Sequence, residues 1–122
     1  MARVLVIDDD EDLRGMLGDL LQRAGYSCDL AENGIDGMEK FRQSPPDVVI
    51  TDIFMPEKDG FQVIQEMKKA NPKVKIIVIS GIGIRQELDI VSLALRMGVQ
   101  HALEKPFKPD DLLGMVRQLA TP

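Results

Sequence analysis

Short runs of aliphatic and β-branched residues alternate along this chain with amphipathic stretches, and few folds accommodate that alternation. Val4 to Ile7 is uniformly apolar and too short for a core helix, so it reads as a strand buried on both faces. It breaks off at Asp8, Asp9 and Asp10. Leu13, Met16, Leu17, Leu20, Leu21 and Ala24 then recur at helical spacing, and Gly25 supplies the stop. The pattern returns with a weak strand over Ser27 to Leu30. After it, Asn33 caps a predicted helix with Ile35, Met38 and Phe41 on one face, ended by Pro45 and Pro46. Asp47 to Thr51, with Val48, Val49 and Ile50 at its centre, is the next buried strand and stops at Asp52. The loop Ile53 to Asp59 leads to a helix marked by Phe61, Ile64 and Met67. Val74 to Ile79 is the strongest strand and ends at Ser80. A Gly-containing segment, a helix over 86–97 closed by Gly98, a short strand over Gln100 to Glu104 and a final helix opened by Pro109 complete the chain.

Five strand–helix pairs joined by short connections predict an α/β fold. Parallel strands need crossovers, crossovers are right-handed, and the result is a doubly wound five-stranded parallel sheet with helices on both faces. At 122 residues the chain fits one domain, 1–122, with no room for an output domain. A net charge of -5 with dispersed Lys and Arg argues against direct nucleic-acid binding. The single Cys28 has no internal partner, and no leader pattern precedes the first strand, so cytoplasmic residence without membrane association is expected.

In an open parallel sheet, ligands bind beyond the carboxyl ends of the strands, near the point where strand order reverses. At that edge strand one ends in Asp8 and Asp9, strand three in Asp52, strand four in Ser80 and strand five in Lys105. Converging carboxylates repel, and a hard divalent cation such as Mg²⁺ relieves the repulsion while leaving coordination free for phosphate oxygens. A carboxylate is also a competent nucleophile for an aspartyl phosphate. Asp52, alone at its strand end, is the candidate acceptor, with Lys105 and Ser80 placed to neutralise and orient the phosphoryl oxygens. Each residue has a plainer reading by itself. Asp10 suits the first turn of a helix, Asp52 a turn before Pro56, Ser80 a strand end and Lys105 the surface. It is their joint placement at one edge that indicates a site.

In order and spacing, Val-Leu-Val-Ile-Asp8-Asp9-Asp10, Asp52-Ile-Phe-Met-Pro-Glu-Lys-Asp-Gly60, Ser80-Gly81 and Lys105-Pro106-Phe107 resemble the receiver domains of bacterial response regulators, over essentially the whole chain. The resemblance implies a flavodoxin-like (βα)₅ fold with strand order 2-1-3-4-5 and a cis bond before Pro106. It implies that Asp52 accepts phosphate from a histidine kinase or phosphotransfer protein, that Asp9 and Asp52 ligate Mg²⁺ with the Phe54 backbone carbonyl, and that Asp8 reaches the metal through water. Ser80 and Lys105 would contact the phosphoryl group. The domain would not be an enzyme beyond catalysing its own phosphorylation and dephosphorylation.

The sequence departs from the family pattern at Ala102, where most members carry Tyr or Phe as part of the switch. His101 is adjacent, but neighbouring strand side chains face opposite ways, so it is not expected to substitute. The stretch from Ser80 to Lys105 is a few residues longer than usual, with the surplus assigned to Gly81 to Arg85. The helix over 86–97 is more apolar than one buried stripe needs, which suggests a docking or dimer face for a downstream target. Phe54 and Ile82 are expected to shield a phosphoryl group from water. An aspartyl phosphatase would need a second acid where Phe54 stands, and a flavin site a Ser/Thr/Gly-rich loop where the acidic run stands. A phosphate-independent docking module of the same fold is the remaining alternative.

Overall fold

The computed structural model describes residues 2–55, 58–81 and 91–120. Its strands are β1 (Arg3–Ile7), β2 (Ser27–Ala31), β3 (Val48–Asp52), β4 (Lys75–Ser80) and β5 (His101–Glu104). They form one sheet in the order β2-β1-β3-β4-β5, every neighbouring pair parallel. Between them lie α1 (Glu11–Arg23), α2 (Gly34–Gln43), α3 (Gly60–Ala70) and α4, whose described helical residues are 91–96; α5 (Pro109–Ala120) follows β5. Predicted and observed elements coincide to within a residue or two for the strands. The part of the 86–97 helix before residue 91, and Ile82, lie outside the described residues.

Alternation along each central strand divides the core in two. Leu5, Ile7, Val49, Ile76 and Val78 face α2, α3 and α4, packing with Met38, Phe41, Val63, Ile64, Met67 and Ala94. Val4, Val6, Val48, Ile50, Ile77 and Ile79 face the other way, onto Leu17 and Leu21 of α1 and Leu112, Val116 and Leu119 of α5. Strands covered on both sides have no polar face, which is why they read as continuous apolar runs. β2 lies at the sheet edge and is only half-buried, which accounts for its weak signal.

Helix ends follow local chemistry. Asp10 caps α1, its side chain accepting from the Asp12 and Leu13 N–H groups, so the plainer reading of that acid is the correct one. Asn33 caps α2 as predicted, and Asp59 forms a capping box with Gln62 on α3. Gly25 and Gly98 take positive φ (95° and 94°) where α1 and α4 end.

The buried face of α2 differs from the prediction. Ile35 is 52% exposed, and the helix packs through Gly34, Gly37, Met38 and Phe41 instead. Gly37 lets the helix approach Ile7 of β1 and Gly34 lets it approach Lys58 and Val63 at α3, so Ile35 is left toward solvent, a packing preference that a hydrophobicity pattern does not register. Met16 on α1 is likewise exposed, leaving Leu17, Gly18 and Leu21 as the buried residues of that helix.

Candidate functional site

The chain leaves β1 for β2 on one side and returns to β3 on the other, so the order reverses between β1 and β3. Register places the predicted residues at the same edge. Ile7 pairs with Thr51, Asp52 with Ile79, and Ser80 with Glu104, so Asp8, Asp52, Ser80 and Lys105 all emerge at the carboxyl ends of their strands. Carboxylate oxygens of Asp8, Asp9 and Asp52 lie within 4.8 Å of one another. Asp8 is 1% exposed and Asp52 6%, whereas Asp9 is open to solvent.

Lys105 is the counter-charge. Its Nζ lies 3.1 Å from Asp52 Oδ2 and 3.4 Å from Asp8 Oδ2. Burial opposes its charge, but the Asp52 and Asp8 carboxylates outweigh burial and hold its pKa above the usual lysine value. Asp8 is displaced the other way from an ordinary acid. Burial raises its pKa, the Asp52 charge adds to that, and the Asp10 N–H and the Lys105 ammonium offset only part of it. Three carboxylates against one ammonium leave an excess of two negative charges when all are ionised. A divalent cation with oxygen ligands matches that excess in both charge and donor type.

Local hydrogen bonds fix the acids. Asp52 Oδ1 accepts from the Ile53 N–H at 2.8 Å, and the Thr51 hydroxyl donates to the Asp52 carbonyl at 3.0 Å. Asp8 Oδ1 accepts from the Asp10 N–H at 2.9 Å, and its carbonyl accepts from the Arg14 guanidinium at 2.8 Å. The Ser80 hydroxyl is fully buried at this edge with no hydrogen-bond partner among the described residues, an arrangement that costs free energy unless a ligand satisfies it. Gly60 supports the loop after Asp52. Its N–H donates to the Ile53 carbonyl at 2.8 Å, and a Cβ there would stand 2.5 Å from the Asp52 carbonyl oxygen. The peptide bond between Lys105 and Pro106 is cis, as the resemblance implies.

A model of the response regulator receiver domain matches residues 4–117. The chain belongs to that family. This receiver domain is 36% identical over 119 residues to the chemotaxis protein CheY of Thermotoga maritima, covering 97% of both chains. It is 32% identical to the transcriptional regulator NtrC of Escherichia coli over 94% of its own length but 24% of that protein's. Among solved structures it resembles a receiver domain protein from Clostridium thermocellum, with a TM-score of 0.91 at 31% identity over 98% and 94% of the two chains. It also resembles the response regulator TrrA of T. maritima in complex with Mg²⁺ and BeF, with a TM-score of 0.84 at 34% identity over 98% and 99%.

Of the residues predicted for the receiver site, Asp8, Asp9, Asp52, Ser80 and Lys105 are thus brought to one edge, and Phe54, 40% exposed, follows two positions after Asp52. Ala102 packs against the core facing α2, α3 and α4, and His101 occupies the alternate position on β5. Prediction overlooked Arg14, Thr51 and the supporting role of Gly60. Arg14 carried a signal as a base one helical turn inside α1 beside an acidic run, and Gly60 stood at the end of the motif that follows Asp52.

Proposed function

We propose that this receiver domain takes a phosphoryl group onto Asp52 from the phosphohistidine of a sensor histidine kinase or phosphotransfer protein, and thereby changes the face it offers to a downstream target. The observation that carries the reading is Asp52 itself, paired with a Lys105 ammonium that also reaches the buried Asp8, beside Asp9 and at the same edge as a buried hydroxyl that lacks a partner among the described residues. Asp8, Asp9 and Asp52, with the Phe54 main-chain carbonyl, would hold Mg²⁺, which would supply charge to offset that of the carboxylates and of the incoming phosphoryl oxygens.

The Ile53 N–H fixes one Asp52 oxygen, and the carboxylate attacks phosphorus from its pocket side. The Asp52 O–P bond forms, the P–N bond of the donor imidazole breaks, and its electron pair leaves with the ring nitrogen. The Lys105 ammonium and the Ser80 hydroxyl then turn from their present environments to the phosphoryl oxygens. The chain catalyses its own phosphorylation and dephosphorylation and no other reaction. Its output is a shift between two arrangements. Exposed Leu93 and Leu95 on α4, 46% and 48% accessible, are the part of the docking face that the described residues include. Such a domain works in the cytoplasm, and no helix among the described residues is long and apolar enough to cross a membrane.

Intact mass after incubation with acetyl phosphate, with and without Mg²⁺, tests the reading on the wild type and Asp52→Ala. A Mg²⁺-dependent gain of one phosphoryl group, absent from the variant, is expected. No gain with any donor or kinase overturns it in favour of the phosphate-independent docking module, to which Ala102, small where the family carries an aromatic, would be suited.

A further inference from the structure

Every polar group of Asp8 is committed. Its N–H donates to the Ala31 carbonyl at 3.1 Å, Oδ1 accepts from the Asp10 N–H, Oδ2 faces Lys105, and the carbonyl accepts from Arg14. The first partner belongs to β2, the second to the loop itself and the third to the segment after β5. Arg14 alone of the four ties the acidic loop to the interior of a helix. That helix is anchored independently, through buried Leu17 and Leu21 and the Asp10 cap.

We infer that Arg14 is a positioning residue for the cation site, acting through the main chain of Asp8; the inference rests on the Mg²⁺ reading above. Two effects of this guanidinium oppose each other. As a cation beside the acid cluster it weakens the attraction for a second cation, and because Arg14 is half-exposed that effect is screened. As a tie it fixes the peptide between Asp8 and Asp9, so that both carboxylates are presented without further ordering when a metal binds. Removing an outer partner of a metal ligand typically weakens affinity about 10- to 100-fold. The tie therefore outweighs the charge, and losing Arg14 weakens binding even though it makes the pocket more negative.

The sign of the change separates the two roles. Calorimetric titration with Mg²⁺ at fixed ionic strength is run on the full chain as wild type, Arg14→Ala and Arg14→Lys, with circular dichroism confirming that each is folded. Arg14→Ala is expected to bind Mg²⁺ about tenfold more weakly, and Arg14→Lys, equal in charge but without the planar fork, to lie between. Equal or tighter binding by Arg14→Ala overturns the inference and leaves Arg14 as a charge only. If Arg14→Ala does not fold, Arg14→Lys decides alone: weaker binding than wild type upholds the positioning role, and unchanged or tighter binding overturns it. A wild type that binds no Mg²⁺ removes the cation reading and this inference together, an outcome distinct from a variant that binds as well as wild type.

Discussion

Replacing Gly60 with Ala tests how closely α3 must approach the phosphoacceptor strand. The added methyl would meet the Asp52 carbonyl oxygen at 2.5 Å, the Ile53 Cα at 2.7 Å and the Ile53 Cδ1 at 3.0 Å. Two of these are backbone atoms of the strand end that carries the site, so the contact is not relieved by rotating a side chain. Restoring ordinary contact needs a shift of about 0.9 Å between helix and strand. Overpacking of this kind costs about 1–3 kcal/mol, whereas Gly to Ala within a helix gains at most about 1 kcal/mol, and less at a first helical position. A net loss of about 1–2 kcal/mol follows, which at about 3–6 °C per kcal/mol for a domain of this size lowers Tm by about 3–12 °C. Because a misplacement of about 1 Å at reacting groups costs about 100-fold in rate, phosphorylation of Asp52 by acetyl phosphate should slow by about tenfold or more. Gly15→Ala is the control. Nothing lies within 4 Å of its Cβ position on α1, so it should stabilise by up to about 1 kcal/mol and leave phosphorylation unchanged. Urea denaturation and mass-resolved phosphorylation time courses measure both. A Gly60→Ala protein as stable and as reactive as wild type would refute the close-packing argument.

Three further outcomes are expected. Because burial raises the Asp8 pKa, the folded protein holds that proton to higher pH than the unfolded chain does; the penalty is absent below about pH 3.8 and grows as pH rises through the folded value. Asp8→Asn without metal should thus be more stable than wild type at pH 7 in urea, with the gap narrowing toward pH 4 and Mg²⁺ stabilising the variant less; a variant less stable at pH 7 would contradict the assignment. Lys105, whose raised pKa makes its contribution full below about pH 10.5 and lost as pH rises through the folded value, should cost about 1–3 kcal/mol when changed to Met, the lower end applying because its side chain is 26% exposed. Mg²⁺ should restore part of that loss in thermal melts, and a variant unaffected in melts without metal would exclude Lys105 as the counter-charge. The Cys28 thiol is pushed up to about 11, by burial first and by the Asp29 charge second, so iodoacetamide at pH 8 should label the native protein about 100-fold more slowly than the urea-unfolded chain. Comparable rates would place the thiol in solvent.

The sequence by itself determined the sheet, its flanking helices and the residues that end each strand. Those signals are local: an apolar run covered on both faces shows no alternation, and a polar residue interrupting it marks the strand end where ligands bind in such sheets. Asp8, Asp9, Asp52, Ser80 and Lys105 were legible for that reason, and the order of their motifs supplied the family. Tertiary structure alone decided which of these groups are buried and what each one touches. Asp8 and Asp52 are enclosed while Asp9 faces solvent, a distinction between adjacent acids that depends on how the β1–α1 loop turns. Lys105 reaches Asp52 across 53 positions of chain, and Arg14 and Gly60 act on main-chain atoms, which no side-chain pattern records. Ile35 carried the apolar signal of a buried position and lies outside, because α2 packs through Gly37 against Ile7 of the sheet and through Gly34 against Lys58 and Val63 at α3. Hydrophobicity reports what a residue gains by burial; which residue is buried is settled by how closely two backbones can meet.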